Sequence, residues 1–410
     1  MLRVGFFEDL ARERGIAERG SDSISIRAFL GYDLTQRTPD HSTLSILRQR
    51  LGQEIYDQVF ILMLSALDKH GLLQGKNVGI DASVIEANAA LKTLINRNTE
   101  EAYGEYVQRL ASANGIDPQN AEAVRQFDRQ RPQKMSHEEW VKPHDPDAKI
   151  GQTKAGATDM IYQPEPPVDL DPGAMVQAEV RLGHEAEQKD LSLPVLQAQE
   201  NIHQAQDGAA DSLTLESATA DKGYHAVGEM KGLQAEGIRT VISDPVKNRK
   251  LEKLDQEEAR VVRKAKRSAC SKSGKALLRR RGMPLERSFA PSLDAGGARR
   301  TTLRGLANLN KRFKVSAAIY NLSQLLRKLF GVGTPKQWAA IGKALFLVWR
   351  AIWVIVCGLW RMGKTNPPER QSSIYDGRCF RLERWITNGT TETFGGILRF
   401  CKKSLSSTGC

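Results

Sequence analysis

The chain has 410 residues, with 60 Lys/Arg against 48 Asp/Glu and a formal net charge of +12. That length accommodates two or three domains with a sizeable core. Five cysteines with no Cys-x-x-Cys pair argue against both a disulfide framework and a zinc knuckle. Arg3, Glu8 and Asp9 interrupt the first apolar stretch, so no secretory signal is expected and a reduced cytoplasmic setting follows.

Residues 1–73 read as a helical domain. Leu2, Phe6 and Leu10 form a helical stripe at the start. Thr38-Pro39-Asp40 predicts a helix start, with a capping hydroxyl and a proline in the first turn. Leu44, Leu47, Leu51, Ile55 and Val59 then fall at three- and four-residue spacing, which predicts one buried face. A first strand over residues 74–90 carries Asp81, and the polar stretch 91–150 reads as a helical insertion and linker, with Tyr103, Tyr106 and Leu110 at helical spacing. Asp171-Pro172-Gly173 marks a hairpin turn into a strand in which Ala174, Val176, Ala178, Val180 and Leu182 alternate. A helix from Glu185 to Gln204 follows despite Pro194. Next come a strand Leu213–Ala220 ending at Asp221, a helix near His225–Ala235 and a short strand Ile238–Ile242. This order predicts a mixed α/β domain over 74–330, with the Asp81 and Asp221 strands side by side. In the tail, 331–410, Ala344–Trp360 is apolar except for Arg350. That is too short and too charged for a comfortable span, so a buried or partner-facing helix is expected and a membrane is not.

The charge is concentrated. Lys247–Lys314 holds 21 Lys/Arg against 6 Asp/Glu, so this segment carries +15 and the rest of the chain about −3. Such a block suits a polyanion, because phosphate contacts release counterions. Arg279, Arg280, Arg281, Arg299, Arg300, Arg304, Lys311 and Arg312 are the expected DNA-phosphate contacts. Three carboxylates stand out as well: Asp81 and Asp221 at strand ends, and Glu286 in the helix-like run from Pro284. Hard divalent cations take oxygen ligands held by rigid elements, and this set suits a pair of them. Singly, each residue is as well explained as a turn or solvated helix position.

With those residues in hand, the chain resembles the DDE transposases of bacterial insertion sequences, whose catalytic domain is RNase H-like. The resemblance covers residues 1–340 or so and rests on short strings in a fixed order. These are Arg37–Ser45 (RTPDHSTLS), Gly79–Ser83 (GIDAS), Asp145–Ala148 (DPDA), Ala220–Tyr224 (ADKGY) and Leu285–Ala290 (LERSFA). Arg299–Gly305, Lys311-Arg312 and Tyr320–Leu322 continue the series. The resemblance implies an RNase H-like mixed sheet flanked by helices behind an N-terminal helical domain. It implies that Asp81, Asp221 and Glu286 are the catalytic and metal-binding triad for two Mg²⁺ or Mn²⁺ ions, and that Arg287 lies beside the site or the DNA. Metal-dependent cleavage and strand transfer on double-stranded DNA, both transposon ends and target, would follow, in a homodimer when active and a nucleoid-associated location. A metal-dependent nuclease and a non-catalytic DNA-binding remnant are the alternatives.

Three departures bear on activity. Similar proteins have a further helical segment ahead of the position of Met1, so the chain reads as N-terminally truncated. Pro291 stands where histidine is expected, and it predicts a kink or end of the helix after Glu286, with the turn Ser292–Asp294 loosened. Pro166-Pro167 falls in a predicted strand, which is tolerable only at an edge.

Overall fold

A computed structural model describes residues 1–334 apart from 89–92, 132–138, 154–155, 184–189, 207–212, 247–251, 253 and 295–297, with isolated positions between 337 and 347. Apart from Leu347, the apolar run Ala344–Trp360 and the rest of the tail lie outside the described residues.

The chain opens with helices α1 (Leu2–Phe7), α2 (Glu13–Asp22), α3 (Ile24–Leu30), α4 (His41–Arg50) and α5 (Gln53–Lys69). The start of α4 is later than expected and uses a different cap. Asp40 accepts from the Thr43 amide at 2.9 Å and from the Ser42 and Thr43 hydroxyls, and Pro39 precedes the cap. The predicted stripe Leu44–Val59 does not form one face, because Leu51-Gly52 separates α4 from α5. Leu47, Ile55 and Val59 are exposed, and α5 instead buries Tyr56, Phe60, Leu64 and Leu67. The period is helical in both readings; the break shifts its phase.

Phe60, Leu64, Leu67 and Leu73 belong to the same apolar cluster as Val78 and Ile80, so α5 is part of the main core. Beyond it come strands β1 (Asn77–Gly79), β2 (Ile85–Glu86) and β3 (Ile95–Asn96), helices α6 (Tyr103–Ala113) and α7 (Ala121–Gln130), then β4 (Trp140–Val141). Strand β3 pairs with β4, bracketing helices α6 and α7 in the chain. Tyr103 and Tyr106 both meet Trp140 edge-on, at 5.0 and 5.1 Å between centroids, giving this segment a small aromatic core.

Strands β5 (Lys149–Gln152), β6 (Thr158–Pro164), β7 (Val168–Asp169) and β8 (Val180–Leu182) lead to helix α8 (Ser192–Ala205). Pro194 falls in the first turn of α8, where its missing amide costs no internal bond. Pro166-Pro167 sits between β6 and β7, and β7 is an edge strand, so neither proline breaks a central ladder. The chain then runs through β9 (Ser217–Thr219), a 3₁₀ turn Lys222–Tyr224, α9 (Val227–Ala235), β10 (Arg239–Val241), α10 (Gln256–Cys270), α11 (Lys272–Phe289), a π-type turn Ala290–Asp294 and α12 (Leu306–Phe330).

The central sheet has the order β10-β9-β1-β7. Strands β1, β9 and β10 are parallel to one another and β7 is antiparallel to β1. A second sheet places β6 between β2 and β5 and also pairs it with β8. The fold is thus mixed α/β, with the expected adjacency of the Asp81 and Asp221 strands.

The predicted strand Ala174–Leu182 forms only in its last three residues. Ala174–Ala178 are fully buried rather than alternating, because both sides of this segment are covered. Asn321 brackets Met175, donating to its carbonyl at 2.8 Å and accepting its amide at 3.0 Å. Asn310 does the same to Val180, at 3.3 and 2.6 Å. These asparagines lie about three helical turns apart on α12 and act as the neighbour that a sheet would otherwise supply. Tyr320 and Gln324 add donors to the Gly173 carbonyl, where the backbone takes a left-handed turn at φ 83°.

Candidate functional site

Two aspartates end neighbouring parallel strands at the same level. The register pairs Gly79 with Thr219, and the Ile80 amide continues the ladder onto the Thr219 carbonyl at 2.9 Å. Asp81 and Asp221 are therefore equivalent positions two residues past the last pair, on strands spaced about 4.8 Å apart. They share a face with Gly79 and Thr219, since side chains alternate along a strand. The strands beneath are apolar and buried, with Val78, Ile80, Ala218 and Ala220 at 0–1% exposure. The carboxylates emerge where the sheet ends, as sites on parallel sheets do.

Each aspartate is set by its local backbone. Asp81 Oδ1 accepts the Ala82 amide at 3.0 Å. Asp221 starts the 3₁₀ turn, its carbonyl accepting from the Tyr224 amide at 3.0 Å. Tyr224 is buried, and its hydroxyl donates to Glu165 at 3.4 Å. Glu165 in turn lies 3.4 Å from Arg181, so a buried polar chain anchors the turn that follows Asp221.

Helix α11 closes the same face. It packs on β7, β9 and β10, and Ser271 caps its start by accepting the Gly274 amide at 3.0 Å. It begins at Lys272, well before the expected start near Pro284, and accommodates Pro284 internally. Leu285, Phe289 and Leu293 are buried as the spacing predicts. The helix carries on through Glu286, and the disruption at Pro291 takes the form of the widened π turn that follows Phe289. There Ser292 Oγ donates to the Ser288 carbonyl at 2.6 Å, which supplies a donor near the gap left by the proline.

Glu286 and Arg287 lie on the exposed side of α11. Among the described residues no three His, Cys, Asp or Glu side chains come close enough together to hold a metal ion. The structure therefore places Asp81 and Asp221 together and does not draw Glu286 into a cluster with them.

Arg281 occupies this face instead. Its Nη2 lies 3.9 Å from Asp221 Oδ1, and its side chain is 16% exposed against 58% for the aspartate. A Cβ on Gly79 would sit 2.6 Å from Leu170 and 3.2 Å from Arg281 Cγ, so glycine leaves room first for Leu170 and then for the arginine. Nε and Nη1 of Arg281, Oγ1 of Thr219 and Oγ of Ser83 are buried without hydrogen-bond partners among the described residues. Native interiors rarely strand polar atoms this way, and those of Arg281 and Thr219, on the face that bears Asp221, fit a site for a polar ligand. The donor chemistry of Asp81 and Asp221 fits a hard divalent cation.

The basic segment divides in two. Arg279, Arg280, Arg287, Arg300 and Arg304 are exposed. Within that set Arg280 pairs with Asp171 at 2.7 Å, and the partly buried Arg299 pairs with Asp294. Lys311 and Arg312 depart from the expected phosphate-binding face. Lys311 donates to the Arg48 and Leu51 carbonyls at 2.9 and 2.7 Å, the natural place for a cation at the C-terminal end of α4. Arg312 donates to the Ala11 carbonyl at 2.9 Å, and burial pushes its pKa down. These two side chains hold the N-terminal helices onto α12. Their place between buried Leu309 and Phe313 is the sequence signal for that role. For Arg281, Thr219 and Ser83 the signal is weaker: a glycine and small hydroxyl residues flanking the two aspartates.

No curated protein and no solved structure matches the chain. Residues 1–50, which are helices α1–α4 and their connections, match the family model of a transposase domain (DUF772), and this N-terminal region relates the chain to transposases.

Proposed function

We propose that the protein is a DNA transposase of the DDE type, with an RNase H-like catalytic domain. The observation that carries the reading is the equal register of Asp81 and Asp221 on adjacent parallel strands. The transposase-domain match at residues 1–50 supports it. So does the sheet order, in which β1 has an antiparallel neighbour on one side and two parallel strands on the other.

Asp81 and Asp221 would hold two Mg²⁺ or Mn²⁺ ions, with Glu286 reaching the site when DNA is bound. When present, such ions acidify a water and stabilise the leaving oxygen of a phosphodiester. The protein's own part is to hold the carboxylates rigid on the sheet and to keep the phosphate charge balanced with the arginines of α11. Cleavage breaks a P–O3′ bond with water as nucleophile and leaves a 3′-hydroxyl. Strand transfer uses that hydroxyl against a target phosphodiester and releases the target's O3′. Arg279, Arg280, Arg287, Arg300 and Arg304 would track the duplex, with a homodimer pairing two transposon ends.

A second reading, a DNA-binding remnant without catalysis, is favoured by one observation: Glu286 is not gathered with the aspartates. Incubating the protein with Mg²⁺ and DNA carrying the element's terminal repeats separates the readings. Joined product is expected. Binding without cleavage establishes the remnant, and nicking without joining establishes a nuclease.

A further inference from the structure

Arg281 is the one cation of α11 set directly against a proposed metal ligand among the described residues, and its surroundings are incomplete. The guanidinium makes one long contact, 3.9 Å to Asp221, while Nε and Nη1 are buried with no hydrogen-bond partner among the described residues. Leaving such donors unmade costs free energy. The helix is nevertheless held in place by buried Leu285 and Phe289, and Gly79 leaves space beside Arg281. A forked cation with two unused donors matches an anion with two oxygens in one plane, which a phosphate supplies.

We propose that Arg281 neutralises Asp221 while the site holds no divalent ion, and exchanges that carboxylate for a phosphate oxygen of DNA when Asp221 is engaged as a metal ligand. The proposal rests on the reading of Asp221 as such a ligand. One consequence is a linkage: cation and DNA bind cooperatively, and the coupling passes through a single side chain. By reciprocity, each must raise the affinity of the other by the same factor. A second consequence is that Arg281 opposes cation binding when DNA is absent, since a monovalent and a divalent charge a few ångströms apart repel even in water.

The test is Mn²⁺ titration of the full-length protein without DNA, following the resonance of the free ion. It is run on the native chain, Arg281→Gln, Arg281→Lys and Asp221→Asn, each checked for an unchanged circular dichroism spectrum. Arg281→Gln should bind Mn²⁺ about tenfold more tightly than the native chain. Arg281→Lys, which keeps the charge, should not. Binding to a duplex with non-cleavable linkages, measured with and without Mn²⁺, should be strengthened by the ion in the native chain and not in Arg281→Gln. Arg281→Lys, lacking the fork, should lose most of that strengthening. Equal Mn²⁺ affinity in the native chain and Arg281→Gln, with binding still abolished by Asp221→Asn, overturns the role of Arg281 and leaves the metal site standing. Mn²⁺ binding that survives Asp221→Asn, or no binding to any variant, overturns the site reading itself and the proposal with it.

Discussion

Asp221 and Asp145 come from strings that look alike in sequence, short acidic turns beside glycine or proline, yet they sit in opposite environments. Asp145 is fully buried. Its Oδ1 accepts the Tyr162 hydroxyl at 2.6 Å and the Gly305 amide at 3.0 Å, while Asp147 accepts the Leu306 amide at 2.9 Å. Together they cap the start of α12, where amides lack internal partners and the helix dipole favours negative charge. Asp221 is 58% exposed at its strand end, with the Arg281 guanidinium beside it at 3.9 Å, beyond hydrogen-bond reach. Asp145 is sealed from solvent, with Oδ1 committed to the fold and Oδ2 buried without a hydrogen-bond partner among the described residues, so it is structural. A carboxylate held rigid and open to solvent is available for chemistry. The burial that supports Asp145 also drives the pKa of Tyr162 upward, with the hydrogen bond to Asp145 adding to the shift.

The sharpest way to break this contrast is to remove each charge in turn. Asp221→Asn should lower strand joining by about a thousandfold, or about 4 kcal/mol of barrier, with no measurable loss of stability. Asp145→Ala should do the reverse, costing about 3 kcal/mol of stability because a buried hydroxyl and a helix-terminal amide lose their acceptor. Urea denaturation paired with the joining assay reads both. A large stability loss at Asp221, or none at Asp145, ends the distinction.

Gly79→Ala probes the shared face with a smaller perturbation. A Cβ there meets Leu170 and Arg281, so about 1–3 kcal/mol of overpacking is expected. The displaced arginine should also raise Mn²⁺ affinity. Full native stability in the urea midpoint would show that the face is looser than its geometry indicates.

Much of this arrangement can be read from the residues. Asp81 and Asp221 follow alternating apolar runs, and parallel pairing of two such runs leaves their ends level. Phase and completeness are harder to read. The stripe from Leu44 to Val59 keeps its spacing across Gly52, but a break between two helices rotates one relative to the other, and exposed Ile55 and Val59 are the result. Pro284 has the look of a helix start because proline favours the first turn, whereas α11 has already run for twelve residues before it. The segment Ala174–Ala178 has the pattern of a strand, but it meets a neighbouring strand only at the Val168–Met175 bridge and is otherwise held by the side chains of Asn321 on α12 and Asn201 on α8, which no periodicity reveals. Lys311 and Arg312 count toward a basic face in sequence, and their place between apolar Leu309 and Phe313 is the one hint that the fold spends them on backbone carbonyls.

That division of the basic segment gives a prediction of its own. Replacing Arg279, Arg300 and Arg304 with glutamine should reduce the slope of log affinity against log salt by about 2.7, near 0.9 for each phosphate no longer neutralised. Replacing Lys311 and Arg312 should leave the slope unchanged and lower the thermal midpoint, as the N-terminal helices loosen from α12. A reduced slope in the second variant would restore those two residues to the DNA face.

The smallest expected effect concerns Asp40, which resembles Asp145 in its role and Asp221 in its exposure. It accepts from one amide and two hydroxyls at the start of α4, and these bonds, the Thr43 amide first, bring its pKa down from 3.8 to about 2. A depressed carboxylate stabilises the folded state fully above its unfolded pKa, and loses that contribution as pH falls through the folded one. The cap should therefore be intact at pH 5 and weaken between about pH 4 and pH 2. Because the group lies in solvent, the effect should be local fraying rather than global unfolding. Amide exchange at Thr43 should accelerate over that interval in the native chain beyond the intrinsic pH dependence. Asp40→Asn keeps a side-chain acceptor without a titrating charge, since asparagine caps about as well as aspartate, and should show no such excess. An identical acid profile in the two proteins would mean that the carboxylate charge adds nothing to the cap, and that geometry alone sets where α4 begins.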